Sequence, residues 1–188
     1  MKNEGGAALI VAVLTLTMVG AVAAALALNA ATDAMLAAEF ERAHEARYAA
    51  EAGLERAIAD LPAIVDWNAL AGGLAASTFV DGPPLGGRTL ADGSTLELSR
   101  VPPTPAWHLF AYGPIDALLP GGRIRSRFYI VALVAAAPSV SGTQQAVWLR
   151  CEAFGPRGSH QMAQAVLEPS GDPLRPVRTR IRHVTGVP

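Results

Sequence analysis

Apolar and charged positions divide this chain sharply at its first third. From Ala7 to Ala31 there is no Asp, Glu, Lys, Arg or His, a run of 25 residues. As α-helix it covers roughly 37 Å at ~1.5 Å per residue, enough to cross a bilayer. Its polar interruptions are mild. Thr15 and Thr17 can return their hydroxyls to the helix backbone, Asn29 lies near one end, and Gly20 is the soft point.

After Asp33 the pattern becomes amphipathic. Glu39, Glu41, Arg42, Glu45, Arg47, Glu51, Glu55 and Arg56 supply a wettable face, and Leu36, Phe40, Leu54, Ile58 and Leu61 supply an apolar one at helical spacing. That stripe is expected to pack on the domain that follows. No proline occurs between Met1 and Leu61, and alanine dominates, so one helix is expected from about Ala7 to Leu61, roughly 80 Å long. Pro62 marks its stop.

Glycine and proline clusters from Pro62 to Gly122, among them Gly86-Gly87 and Gly121-Gly122, predict loops and short strands. Thr95 to Ser99 alternates and reads as one strand, and Trp107 to Tyr112 as another. Arg127 to Ala135 is rich in β-branched and aromatic residues, the composition of a central strand covered on both faces. Val147, Leu149, Cys151 and Ala153 alternate with Trp148, Arg150, Glu152 and Phe154, a strand with one more polar side. The turn Gly155–Ser159 returns the chain as His160 to Glu168, which makes that pair antiparallel. Val177 to Val184 is an edge strand or a loose tail. As a strand it carries Arg178, Arg180 and Arg182 on one face, either solvated or docked on an acidic surface. The expected fold class is α+β: one very long N-terminal helix packed on a C-terminal antiparallel β-sheet.

Composition sharpens this reading in two places. Hydrophobic residues reach 51% and charged residues only 16% of 188 positions, so part of the chain avoids water. A net charge of −1 gives no reason to expect nucleic acid as a partner. The charges are nonetheless uneven: seven acids face three arginines between Asp33 and Asp60, and nine arginines face three acids from Arg123 onward. The single cysteine, Cys151, excludes an intramolecular disulfide and reads as a small buried hydrophobe.

Catalytic signals are lacking. His44, His108, His160 and His183 lie far apart in sequence, and there is no HExxH, CxxC, GxSxG or phosphate-loop pattern. No active site, metal or cofactor is expected, and each histidine reads as structural or exposed.

Gly5-Gly6-Ala7-Ala8-Leu9-Ile10-Val11-Ala12, followed by Tyr48-Ala49-Ala50-Glu51-Ala52-Gly53-Leu54-Glu55, resembles the PilX N-terminal family of type IV pilus minor pilins. The resemblance covers about residues 1–61, with Tyr48, Ala50, Glu51, Ala52, Gly53, Leu54 and Glu55 as the more specific motif. It implies a pilin-like fold and a leader, residues 1–6, removed by a prepilin peptidase after Gly6, with methylation of the new N-terminus at Ala7. Cleavage after Gly5 is the alternative. Major pilins carry a glutamate five residues into the mature helix, and Val11 stands at that position here. Burying an unpaired carboxylate in an apolar filament is costly, so its absence removes both a contact and a liability. The departure is similar to tip and initiating subunits.

The resemblance therefore implies a structural subunit, not an enzyme, that primes or caps a type IV pilus or related filament. Its implied partners are other pilin-like subunits, the prepilin peptidase and, before assembly, membrane lipid. Residues 7–31 form the membrane or filament half of the helix, 32–61 the amphipathic half, 62–170 the sheet domain, and 171–188 an Arg/Pro-rich tail or edge strand. The implied location is the bacterial inner membrane, N-terminus cytoplasmic and C-terminal domain periplasmic, with export in a pilus. The alternatives are a tip pseudopilin of type II secretion, a single-pass anchored periplasmic binding domain, or an exported enzyme with a signal cleaved near Ala25-Leu26-Ala27. Small residues at Ala52-Gly53 allow a helix or sheet to approach closely, or belong to a solvated face with Glu51 paired to Arg47.

Overall fold

The computed structural model describes residues 4–118, 126–138, 146–172 and 175–182. Helix α1 runs unbroken over Glu4–Asp60. It needs no proline-free luck beyond its sequence: alanine keeps its backbone cheap in entropy, and the threonines bond inward. The Thr15 hydroxyl donates to the Val11 carbonyl at 2.7 Å, that of Thr17 to Leu14 at 2.8 Å and that of Thr32 to Leu28 at 3.0 Å. The helix stops at Pro62, inside the 3-10 turn Leu61–Ala63. The Asp60 carboxylate accepts hydrogen bonds there from Arg56, Ser77 and Thr78, tying the helix end to the chain that leads into the sheet. Two compact units divide the chain, residues 1–42 and 43–188.

Within the second unit a short helix α2 (Trp67–Ala71), capped by the Asp66 carboxylate on Asn68 and Ala69 N–H, precedes a small hairpin of β1 (Gly87–Thr89) and β2 (Thr95–Glu97). A five-stranded sheet follows in the order β3 (His108–Pro114), β4 (Tyr129–Ala137), β5 (Ala146–Phe154), β6 (His160–Asp172) and β7 (Arg175–Arg182). Every neighbouring pair is antiparallel, so the sheet is a meander. The α+β class expected above is what the chain forms. Gly121-Gly122 and His183 lie outside the described residues.

Alternation along β4 builds two apolar layers. Ile130, Ala132 and Val134 join the main core under α1, while Tyr129, Val131 and Leu133 join a second cluster with Leu98 and Tyr112 on the opposite side. This is the two-faced burial that its composition requires. On β5, Val147, Leu149, Cys151 and Ala153 enter the main core and the polar set faces away. A bulge between Leu109 and Ala111 lets both Phe110 and Ala111 face the main core.

One expectation fails. The helix face in the core is Ala46, Ala49, Ala50, Leu54, Ala57 and Leu61, with Ile58 at its margin; Leu36 and Phe40 are 63% and 68% exposed. At 100° per residue the buried face centres on the alanines and Gly53, and the leucines lie at its edge. The first buried helix residue is Ala46, past both Leu36 and Phe40. Two strand limits also shift. Thr95–Glu97 gives way to a 3-10 turn at Leu98, whose side chain is buried, and the last strand, described over Arg175–Arg182, starts two residues before the expected Val177, while residues 183 and 184 lie outside the described residues.

Candidate functional site

The uncharged run of α1 is the feature that the fold does not use. Its large side chains from Leu9 to Leu28 are 53–74% exposed, and every residue from Gly6 to Met35 is exposed. The helix is long and apolar enough to cross a membrane. Gly6 and Gly20 have open space where a Cβ would stand. Gly6 and Ala7 lie within the first turns of the helix, and Val11 is exposed one turn later. Nothing in the described part of the chain covers them. Met18, Val19, Val22, Ala23 and Leu26 line a shallow, wholly apolar dent on this surface.

The second sequence-marked segment, residues 48–55, is divided between two faces. Ala49, Ala50, Gly53 and Leu54 are buried. A Cβ built on Gly53 would stand 2.5 Å from Cys151 Sγ and 2.8 Å from Ile130 Cδ1, so only glycine lets the helix lie this close to β4 and β5. The close partner is thus the chain's own sheet. Tyr48, Ala52 and Glu55 are exposed on the other face, Tyr48 in a tilted ring contact with His44 at 6.3 Å. The Arg47 Nε donates to the Glu51 carboxylate at 2.9 Å, the pairing expected from their spacing.

Cys151 is fully buried beneath Gly53. Burial first, and the nearby Glu152 charge second, push its thiol pKa up, so it stays a protonated, inert thiol. Among the described residues no three His, Cys, Asp or Glu side chains gather as metal ligands would.

The sequence reading missed a polar chain on the outer side of β5. Glu152, only 4% exposed, lies between Arg150, at 2.7 Å from Nε but out of hydrogen-bond alignment, and His160, at 2.8 Å from Nε2. His160 stacks on Phe154 with centroids 4.7 Å apart, and the Arg150 guanidinium sits 6.0 Å from the Trp107 ring. The alternation of β5 with the tight turn after it could have placed Arg150, Glu152 and His160 together. The cluster lies beside Trp107 and Phe154, which pack against the outer apolar layer.

Two further networks fasten the excursion between α2 and β3 to that layer. The Tyr129 hydroxyl meets the Asp81 carboxylate at 3.2 Å, and burial foremost, then the Asp81 charge, raises its pKa. Burial likewise raises that of Tyr112, whose hydroxyl donates to the Gly82 carbonyl at 2.8 Å. At the hairpin tip Asp92 accepts from the Ser94 hydroxyl at 2.6 Å, the Ser94 N–H at 3.1 Å and the Arg157 N–H at 2.8 Å, which hold its carboxyl below the usual range. These are structural ties, and they leave the apolar run of α1 as the candidate site. Comparison with known proteins yields no match: no family model fits the chain, and no characterised protein or solved structure aligns with it significantly.

Proposed function

We propose that this chain is a minor-pilin-like structural subunit that joins a type IV pilus or related filament through residues 7–31 and primes or caps its assembly. The observation that supports the reading is the continuous exposed apolar helix ahead of a segment, residues 48–55, whose small residues serve the chain's own sheet. An apolar surface gains ~25 cal/mol for each Å² removed from water, so a helix this exposed is driven into lipid or against other helices. On this reading it first sits in the inner membrane, N-terminus cytoplasmic and sheet domain periplasmic. A prepilin peptidase removes the leader after Gly6, and Ala7 becomes the methylated N-terminus. Val11, in place of the major-pilin glutamate, suits an initiating or tip position. A tip pseudopilin of type II secretion fits the same chemistry.

N-terminal sequencing of the protein from cells with and without prepilin peptidase tests the reading. Processing to Ala7 only where the peptidase is present is the expected result, and an intact Met1 in both strains refutes it. Deletion of the gene distinguishes the two machines by whether piliation or secretion is lost.

A further inference from the structure

In the unit of residues 43–188 the end of α1 lies on the sheet, and the two outward faces carry opposite charge. On the helix side Glu45, Tyr48, Ala52 and Glu55 follow one another at three, four and three residues, and all four are exposed. At 100° per residue this stripe stands across the helix from the buried one at Ala46, Ala50, Gly53 and Ala57. The neighbouring charges cancel in pairs: Arg42 with Glu39, Arg47 with Glu51, and Arg56 with Asp60. Among the described residues Glu45 and Glu55 have no ion pair, and Glu45 accepts from the Ser126 hydroxyl at 3.3 Å.

On the sheet side the arginines of β7 fall in one row. Thr179 and Ile181 pair with Leu167 and Ala165, which lie in the main core under α1, so positions 178, 180 and 182 belong to the face turned away from the helix. Their cross-strand neighbours on β6 are Glu168, Val166 and Gln164, so three arginines meet one acid there. The excursion that covers this side of the sheet packs on β3, β4 and Phe154 of β5, and its apolar cluster takes in no described residue of β6.

We infer that the arginine row of β7 takes the Glu45–Glu55 stripe of a second copy, one copy's sheet face against the next copy's helix face. Complementary charge argues for this occupant. Every copy carries both halves, and because they lie on opposite sides of the sheet and helix layers, one copy cannot close them on itself. Spacing agrees: positions 178 to 182 span ~13 Å of strand, and Glu45 to Glu55 span ~15 Å of helix. Tyr48, 65% exposed between the two acids, offers its ring to a guanidinium, and Ala52 lets the strand come close. A contact between unlike faces is not closed by two-fold symmetry and repeats from copy to copy. Each exposed ion pair is worth at most about fivefold in affinity, so the contact works where copies are already held side by side.

The contact needs only the folded chain, so its failure and that of leader cleavage are separate results. The purified full-length protein is placed in phosphatidylcholine vesicles, energy transfer between labelled copies reports association, and circular dichroism checks that each variant folds. Arg180→Glu alone and Glu55→Arg alone each weaken association roughly threefold to twentyfold, and raising the salt from about 0.05 to 0.5 M weakens that of the unaltered protein. Mixing the two variants restores transfer, because the intact helix face of the first meets the intact arginine row of the second. Association that ignores either substitution, or no recovery on mixing, overturns the inference. So does transfer that appears only with phosphatidylglycerol in the vesicles and persists in Glu55→Arg, which assigns the arginine row to lipid headgroups.

Discussion

The two halves of α1 reverse the usual rule of residue size. Between Ala46 and Leu61 the buried positions are mainly alanine with Gly53, while before Arg42 the large side chains, from Leu9 to Phe40, are exposed. Small residues let the second half lie close on the sheet and bury its backbone flank. In the first half the large side chains stay exposed. Burial along this helix therefore follows position and close approach more than side-chain size.

The strongest test of that contrast is Leu54→Ala, which empties a fully packed position. Its unfolding free energy, from urea titration of the sheet domain, falls by about 2–5 kcal/mol. A loss under about 1 kcal/mol would mean that the second half is not held by this face. Gly53→Ala is next: the added methyl meets Cys151 and Ile130, and stability drops by about 1–3 kcal/mol. Gly20→Ala serves as its counterpart, with open space around it, and leaves the urea midpoint of the sheet domain where it was.

Acid sharpens the comparison at lower amplitude. The carboxyl of Asp92 titrates below its unfolded value of about 3.9, so its contribution to folding is fully present above pH ~5 and lost as the pH falls through the lowered native value. Tryptophan fluorescence of the sheet domain of the protein and of Asp92→Asn is expected to differ in midpoint near neutrality and to converge in acid. The helical circular dichroism of residues 4–42, which carry none of this network, stays unchanged over the same range. Smallest of all, Leu36→Ala and Phe40→Ala shift the urea midpoint by no more than about 0.5 kcal/mol equivalent, as exposed positions do. A larger loss in either would place it in the intramolecular core after all.

The sequence made much of this legible. The charge-free run, the proline stop and the alternation on both sides of Gly155 each follow one period, and α1, β4, β5 and β6 form where those periods run. Leu36 and Phe40 were misassigned because spacing within a helix tells which residues share a face and not how far along the helix burial extends: Leu36 lies on the same face as Leu54, five turns before it, yet the first buried position is Ala46. At the buried end Gly53 and its flanking alanines make the close approach, beside the buried Leu54 and Leu61. The Glu152 cluster escaped notice for another reason. A strand that reads as polar on one side gives no sign that 87–107 will fold over that side and bury a carboxylate. As for the candidate site, its location was legible from residues 7–31 alone.

Gly53 also gives the chain a built-in reporter. Cys151 Sγ lies directly under that glycine, and no second cysteine competes for reagent. A thiol probe can reach it only when the core around it opens, so the rate of labelling reports those openings without any introduced cysteine.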